Sequence, residues 1–201
     1  MKGKVLPQNF YVQDTEKVAK QLLGNFLIKK IGNKEVIAKI VETEAYYGLK
    51  DPASRAFTTP KMAQQMWSEG GETFVYMVHN NYLLNIVTEK KGIPAAVLIR
   101  ALEPLTEHDI LKTNRKKDGF DLTNGPGKLT QALSIKKLHN NIKVFDKHSE
   151  ITIAEPLIKQ DFLISSTHRI GVKQDLKRKL RFFIQGNRWV SKGKIISKFS
   201  D

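Results

Sequence analysis

The run from Ile40 to Gly48, Ile-Val-Glu-Thr-Glu-Ala-Tyr-Tyr-Gly, constrains the fold more than any other stretch of the chain. Its β-branched and aromatic residues favour a strand, and the segment rich in Gly, Pro and Asp that follows favours a loop. Because side chains alternate along a strand, Glu42, Glu44 and Tyr46 would share one face. On residue type alone, that face is expected to be solvated on an exposed edge strand, since glutamate is rarely buried without a role. The alternative is a strand that delivers two acids and a ring to a site.

The rest of the chain is expected to form short strands with a few helices. Apolar residues at helical spacing follow the N-cap candidate Asp14 and stop at Gly24, which predicts one helix. Further helices are predicted at 61–67, from Pro104 to about Lys112, and after the turn at 124–128. Alternation and β-formers predict strands at 26–31, 36–46, 74–78, 83–87, 95–101, 151–154, 168–172 and 181–185. Residues 113–121 are expected to form a polar loop.

Short strands with peripheral helices predict an α+β fold built on one curved, mainly antiparallel β-sheet. The 201 residues suffice for one well-buried core and are few for two, so a single domain over 1–201 is expected. No apolar run approaches the roughly 18 residues that suggest a membrane span, and Met1–Val5 does not begin a secretory leader. The absence of cysteine is compatible with a reducing compartment. A cytoplasmic protein without membrane association is therefore expected.

The net charge of +14 and the high proportion of lysine and arginine point to a polyanionic partner. The excess of positive charge is spread along the whole chain, which favours a basic surface on a folded domain over a basic tail. General solubility is the simpler explanation of such a charge. An acid beside aromatic rings in so basic a chain suggests chemistry on a base.

Several ordered blocks identify a family resemblance. The run Val41–Tyr46, with Asp51–Phe57 behind it, closely resembles the signature of the alkyladenine-type 3-methyladenine DNA glycosylases, in the form of a bacterial-like member. Further blocks match the same family in the same order at 97–104, 122–133, 169–172, 180–187 and 189–191. The resemblance extends from about residue 8 to about residue 192. It implies the same α+β architecture and hydrolysis of the N-glycosidic bond of alkylated or deaminated purines that are flipped out of duplex DNA.

The resemblance implies roles for five residues. Glu44 would be the general base that activates a water near the sugar, and Arg100 would help to position that water and Glu44. An arginine within so apolar a run also needs a buried partner, which Glu44 could supply. Tyr46 and Tyr76 would sandwich the flipped base, and Asn85 would hinder normal guanine by obstructing its exocyclic amine. The ordinary alternatives are core tyrosines, a strand-end ion pair and a sheet-edge amide.

Two further features are expected to grip the DNA. The turn containing Gly125, Gly127 and Lys128 feeds a helix N-terminus, which suits a phosphate, although a plain helix start would look the same. The segment between Tyr76 and Asn85 is one residue shorter than its family counterpart, which carries a tyrosine that is inserted into the duplex. At this point His79 and Tyr82 are both candidates for the inserted wedge.

Arg55 stands where the family pattern has a histidine. Arginine remains charged at neutral pH. If its guanidinium points into the base pocket, repulsion of about 3 kcal/mol from a cationic base 5 Å away, at an effective dielectric near 20, exceeds a cation–π gain of ~0.5–2 kcal/mol. That orientation predicts a preference for neutral lesions such as hypoxanthine or ethenoadenine. If Arg55 turns outward instead, it would hold a phosphate in any duplex.

The remaining expectations concern partners and competing functions. Nothing signals a nucleophilic lysine, so water is the expected nucleophile of a monofunctional enzyme. The five histidines show no ligand spacing, so no metal or other cofactor is expected. The expected partner is duplex DNA containing damaged purines, bound by a monomer. The alternatives are a catalytically impaired nucleic-acid-binding domain of the same fold, and a tRNA-binding module, which would explain the basic charge but not the strand of acids and tyrosines.

Overall fold

The computed structural model describes residues 2–193 and 198–200. Eleven strands lie in this part of the chain: β1 Lys2–Val5, β2 Phe26–Ile31, β3 Lys34–Tyr46, β4 Thr73–Val78, β5 Asn81–Val87, β6 Ala96–Pro104, β7 Ile151–Pro156, β8 Ile164–Thr167, β9 Gln174–Leu176, β10 Arg181–Ile184 and β11 Lys198–Ser200. The α-helices are α1 Thr15–Leu22, α2 Arg55–Thr58, α3 His108–Arg115 and α4 Pro126–Ala132. Single turns of 3₁₀-helix lie at Gln8–Phe10, Gln64–Trp67, Gly119–Leu122 and Lys137–His139.

Nine strands form one sheet in which every neighbouring pair is antiparallel. Its order is β1-β7-β2-β3-β6-β5-β4, and β10 pairs with both β3 and β8. Strands β9 and β11 form a separate parallel pair. The α+β class and the mainly antiparallel sheet are therefore confirmed, and the curvature of the sheet stays a prediction.

Strand β3 is the centre of the sheet. It pairs with β6 along residues 38–46, with β2 along residues 34–39, and with β10 at residues 42–44. Its central residues thus have a neighbouring strand on both sides, and the side chains of Glu42 and Glu44 are fully buried. The expectation of a solvated edge strand is wrong, because ion pairs from elsewhere in the chain compensate the two carboxylates.

Local sequence signals account for the elements that lead into β3. The Asp14 carboxylate accepts a hydrogen bond of 3.0 Å from the backbone N–H of Lys17, which caps α1 as predicted. The β2–β3 hairpin is also confirmed, with Ile31 opposite Lys34 across the turn at Gly32, whose φ is +56°. This pairing sets the register in which β3 enters the sheet.

One face of the sheet packs against helices. Helices α1 and α4 lie on it, and apolar side chains from β3, β5 and β6 join them in the main core. Side-chain hydrogen bonds fix both helices, from Thr43 Oγ1 to the carbonyl of Ala19 in α1, and from Thr130 Oγ1 of α4 to the carbonyl of Tyr82 in β5. The other face is therefore the one available for a site.

One predicted helix begins later than expected, and one predicted strand is wrong. The helix expected from Pro104 to about Lys112 is α3, which begins only at His108, because β6 continues to Pro104 opposite Ala38 and the N–H of Leu105 extends the ladder to the carbonyl of Ile37. No strand forms at 168–172, because the backbone N–H groups of Arg169 and Ile170 donate to carboxylates instead of to a neighbouring strand.

Smaller differences concern helix boundaries. Of residues 61–67, only Gln64–Trp67 is helical, as a 3₁₀ turn, and Arg55–Thr58 forms an additional short helix. The predicted polar loop at 113–121 contains the end of α3 and the start of a 3₁₀ turn. Both segments lack a long apolar stripe, so tertiary contacts decide their conformation.

Candidate active site

The register of four strands gathers five of the predicted site residues on the face opposite α1 and α4, namely Glu44, Tyr46, Arg100, Tyr76 and Asn85. Glu44 in β3 lies opposite Leu98 in β6, Leu98 lies opposite Asn85 in β5, and Asn85 lies opposite Phe74 in β4. Residues directly opposite each other project to the same side of an antiparallel sheet. Residues two positions along these strands share that side, namely Tyr46, Arg100 and Tyr76.

Three donors fix the carboxylate of Glu44. Its Oε2 accepts hydrogen bonds from the hydroxyl of Tyr46 at 2.8 Å and from Nη1 of Arg100 at 3.3 Å. Its Oε1 accepts one from the backbone N–H of Ile170 at 2.8 Å. The predicted contact between Glu44 and Arg100 is therefore present, and the carboxylate is held in one orientation.

Glu42 lies beside this contact and is the more heavily bonded of the two acids. It accepts hydrogen bonds from Nε of Arg100 at 3.0 Å, from Nε of Arg181 at 2.6 Å, and from the N–H and hydroxyl of Ser191 at 2.7 and 2.8 Å. The two buried glutamates thus face two arginines, and their formal charges cancel. Sequence reasoning assigned Glu42 no role.

The electrostatics of this cluster keep Arg100 charged. Burial disfavours its guanidinium, but Glu44 and Glu42 outweigh that effect and hold the pKa of Arg100 above its ordinary value. The pKa of the Tyr46 hydroxyl is also well above its ordinary value, because of burial and of the neighbouring Glu44. Tyr46 therefore stays protonated and donates to Glu44.

Arg169 is a second residue of the site that sequence reasoning missed. Its fully buried guanidinium bonds both oxygens of Asp51 at 2.6 and 2.7 Å, Asp175 at 2.6 and 2.9 Å, and the carbonyl of Ala45 at 2.9 Å. It also lies over the ring of Tyr46, 4.6 Å from the ring centroid. The sequence did contain a signal for this contact. Arg169 is the first residue of the matched block at 169–172, and its partner Asp51 is the first residue of the matched block Asp51–Phe57.

The neighbours of Tyr76 include a second arginine. The ring of Phe74 stacks on Tyr76 with centroids 5.0 Å apart, and the guanidinium of Arg55 lies 5.1 Å from the Tyr76 centroid. Burial raises the pKa of the Tyr76 hydroxyl, and Arg55 opposes that rise. Arg55 therefore faces this tyrosine, and its effect on the preference among lesions stays a prediction.

Asn85 is buried within the same face. Its amide nitrogen donates to the carbonyls of Phe74 at 3.1 Å and Leu83 at 3.4 Å. These bonds fix the amide plane. The side chain is thus held by the sheet, and its expected effect on guanine stays a prediction.

The two wedge candidates lie in different environments. His79 is exposed at the tip of the β4–β5 hairpin, where it and Asn80 have φ values of 45° and 62°. Tyr82 is half buried and packs against the main core. The exposed position favours His79 for insertion into a duplex.

The expected phosphate contacts lie at the start of α4. Gly125 is the N-cap residue of this helix, and the Cβ that an alanine would place at Gly127 comes within 2.8 Å of the side chain of Asn81. Nζ of Lys128 contacts the carboxylate of Asp121 and lies 2.8 Å from Oδ1 of Asn124. A cleft that extends from Arg100 to the start of α4 is lined by four basic side chains, those of Arg100, Lys128, Arg188 and Lys192, together with Asp121, Ser191 and others.

Among residues 2–193 and 198–200, no group of three or more His, Cys, Asp or Glu side chains could hold a metal ion. No helix in the described part of the chain is long and apolar enough to cross a membrane.

Comparison with known proteins defines the class. The family model described as methylpurine-DNA glycosylase matches residues 9–188, so the chain belongs to that family of DNA repair glycosylases. A "Putative 3-methyladenine DNA glycosylase" of Borrelia garinii subsp. bavariensis is 39% identical over 190 residues, which cover 91% of this chain and 97% of the relative.

Two more relatives have the same name. The protein of Francisella tularensis subsp. tularensis is 41% identical over 179 residues, 87% of this chain and 92% of the relative. The protein of Bdellovibrio bacteriovorus is 39% identical over 199 residues, 94% of this chain and 99% of the relative.

Proposed function

We propose that this protein is a monofunctional DNA glycosylase of base-excision repair, which hydrolyses the N-glycosidic bond of damaged purines flipped out of duplex DNA. One observation carries the proposal: the buried Glu44 carboxylate lies beside Arg100 on a sheet face that also bears Tyr46 and Tyr76. An acid next to two rings provides both a base for water and a surface for a purine.

In the proposed reaction, water is the nucleophile. The water attacks the anomeric carbon of the sugar, its proton passes to Glu44, and the electron pair of the broken C–N bond leaves with the purine. The ionised Glu44 also stabilises the positive charge that develops on the sugar. Arg100 holds Glu44 in place from the protein side, since its Nε is occupied by Glu42 and its Nη1 by Glu44.

The purine is recognised by stacking and by exclusion. Tyr46 and Tyr76 provide the aromatic surfaces, and their hydroxyl groups remain protonated because burial raises the pKa of both. Asn85, fixed by two carbonyls, presents an amide that would clash with the exocyclic amine of normal guanine. The pocket would thus discriminate by shape before any chemistry begins.

The DNA is held by its backbone and by the gap that the flipped nucleotide leaves. Gly125, Gly127 and Lys128 would contact phosphates, and His79 would fill the gap in the base stack. The protein would act as a monomer on chromosomal DNA in the cytoplasm, without a metal or cofactor. Lys128 would exchange Asp121 for a phosphate oxygen when DNA binds.

The assignment of Glu44 is tested by Glu44→Gln, which keeps the shape of the side chain and removes the base. On duplexes that bear one hypoxanthine or one ethenoadenine, followed by alkaline cleavage of abasic sites, single-turnover excision should fall by about 10²-fold or more while lesion binding survives.

Glu35→Gln is the matched control, because Glu35 lies on the same strand, is partly exposed and pairs with Lys2. It should excise like the wild type. Equal rates for Glu44→Gln and Glu35→Gln would contradict the role of Glu44. A wild-type protein that binds these duplexes without excising either base would be the catalytically impaired binding domain.

A further inference from the structure

Each of the two tyrosines proposed to contact the base already has a guanidinium over its ring. Arg169 lies 4.6 Å from the centroid of Tyr46, and Arg55 lies 5.1 Å from the centroid of Tyr76. A cation over a ring uses the negative ring face that would otherwise attract a second cation. Both rings are therefore less attractive to a positively charged base than bare rings would be.

The two arginines differ in how their charge is compensated. Arg169 is buried and bonds to the carboxylates of both Asp51 and Asp175. Among the described residues, no carboxylate lies within 4 Å of the Arg55 guanidinium, which is half buried. A base in the pocket would thus meet the charge of Arg55, which is not paired with a carboxylate in residues 2–193 or 198–200.

The other charges on this face largely cancel. Glu42 and Glu44 face Arg100 and Arg181 in one buried cluster. Arg55 is half buried, so water screens its charge less than that of an exposed residue, and no carboxylate in the described part of the chain offsets it. Arg55 therefore sets the electrostatic preference of the pocket.

A neutral purine would gain from the same residue. The planar guanidinium of arginine stacks on the faces of bases and donates hydrogen bonds to their ring nitrogens and carbonyl oxygens. Arg55 lies beside the ring of Tyr76, so a flipped base that stacks near Tyr76 would meet the guanidinium of Arg55. Stacking on Arg55 would favour a neutral base and oppose a cationic one.

We propose that Arg55 is a specificity-determining residue, through which the pocket selects neutral purine lesions over cationic alkylpurines. This rests on the proposed function of the same site. Among the damaged purines, it places bases such as hypoxanthine and ethenoadenine ahead of 3-methyladenine and 7-methylguanine, which carry a positive charge in DNA.

The test compares excision of one neutral and one cationic lesion, hypoxanthine and 7-methylguanine, at saturating protein and pH 8. The measured quantity is the rate of each variant relative to the wild type, so that the intrinsic lability of each lesion cancels. Arg55→His, neutral at this pH, should raise the 7-methylguanine to hypoxanthine ratio by about tenfold or more. Arg55→Lys retains the charge and loses the stacking, so it should raise the ratio by less than Arg55→His does.

Arg178→Gln is the matched control, because the guanidinium of Arg178 lies 5.0 Å from the ring of Tyr47 at an exposed position outside the site. It should leave the ratio unchanged. A ratio that Arg55→His does not alter, with both lesions weakened equally, would show that Arg55 holds a phosphate and would overturn the proposal.

A binding measurement separates this proposal from the proposed function. Affinities of the Glu44→Gln protein for the two lesion duplexes, with and without Arg55→His, report on the pocket in the absence of catalysis. A tenfold shift toward the cationic lesion supports the role of Arg55 even if the wild type excises nothing. Identical affinity ratios would overturn it even if excision is efficient.

Discussion

Arg169 shows how a single residue can hold several parts of a site. Its guanidinium connects Asp51 in the loop after β3 to Asp175 in β9, and it supports the ring of Tyr46. Burial disfavours its charge, but the carboxylates of Asp51 and Asp175 hold the pKa of Arg169 above its ordinary value. Loss of this side chain would remove the guanidinium that bonds both oxygens of the buried Asp51 carboxylate.

Arg169→Met should therefore lower the free energy of unfolding by about 3–5 kcal/mol, the usual cost of removing one partner from a buried ion pair. Denaturant titration of the purified protein measures the change. Arg178→Met is the control, since Arg178 forms an exposed pair with Glu16 and its loss should cost only about 0–1 kcal/mol. Similar losses in the two variants would mean that Arg169 contributes no more than a surface pair.

The local sequence indicates some of the side-chain contacts in the site and not others, and the difference has a physical reason. Because Arg100 lies inside the apolar run of β6, a buried acidic partner is expected for it, and Glu44 is such a partner. Nothing in the sequence near Glu42 indicates that it bonds to Arg181 or Ser191, because these contacts join residues 139 and 149 positions apart. Only the assembled sheet brings them together.

The β4–β5 hairpin is the element that places the proposed wedge. Its two-residue turn has positive φ at both His79 and Asn80, a region in which histidine and asparagine are both enriched among residues other than glycine. The turn thus holds the exposed side chain of His79 at the tip of the hairpin.

His79→Gly should reduce excision from duplex DNA by about tenfold, equivalent to ~1.4 kcal/mol, because nothing would then fill the gap in the base stack. Glycine suits the turn, so the fold should not weaken. Single-turnover rates on duplex and on single-stranded substrate measure the effect, and the single-stranded rate should not change. Asn80→Gly is the control at the same turn, and an equal loss there would assign the effect to the turn instead of to His79.

The elements themselves were predictable where turn chemistry and alternation agree locally. The β2–β3 hairpin and the Asp14 cap of α1 are of this kind. The strand expected at 168–172 failed because carboxylates of Asp175 and Glu44 capture the backbone N–H groups of Arg169 and Ile170. Alternation reports on side chains and carries no information about such backbone bonds.

For the whole molecule, the dominant property is the net charge of +14. Affinity for undamaged duplex should fall steeply with salt, with a log–log slope of several units for roughly six or more contacted phosphates. Fluorescence anisotropy between 50 and about 300 mM salt measures the slope. A nearly flat response would mean that a partner other than DNA accounts for the charge.

The pairing of β10 with β3 also determines when the buried cluster around Glu42 can form during synthesis. Until the ribosome has released β10 and Ser191, Glu42 lacks Arg181 and both donors of Ser191, and burying it would be costly. Contacts of such long sequence separation slow folding, because a large loop must close before they form. A nascent chain that already contains β3 and the tyrosines therefore cannot complete this cluster until β10 has left the ribosome.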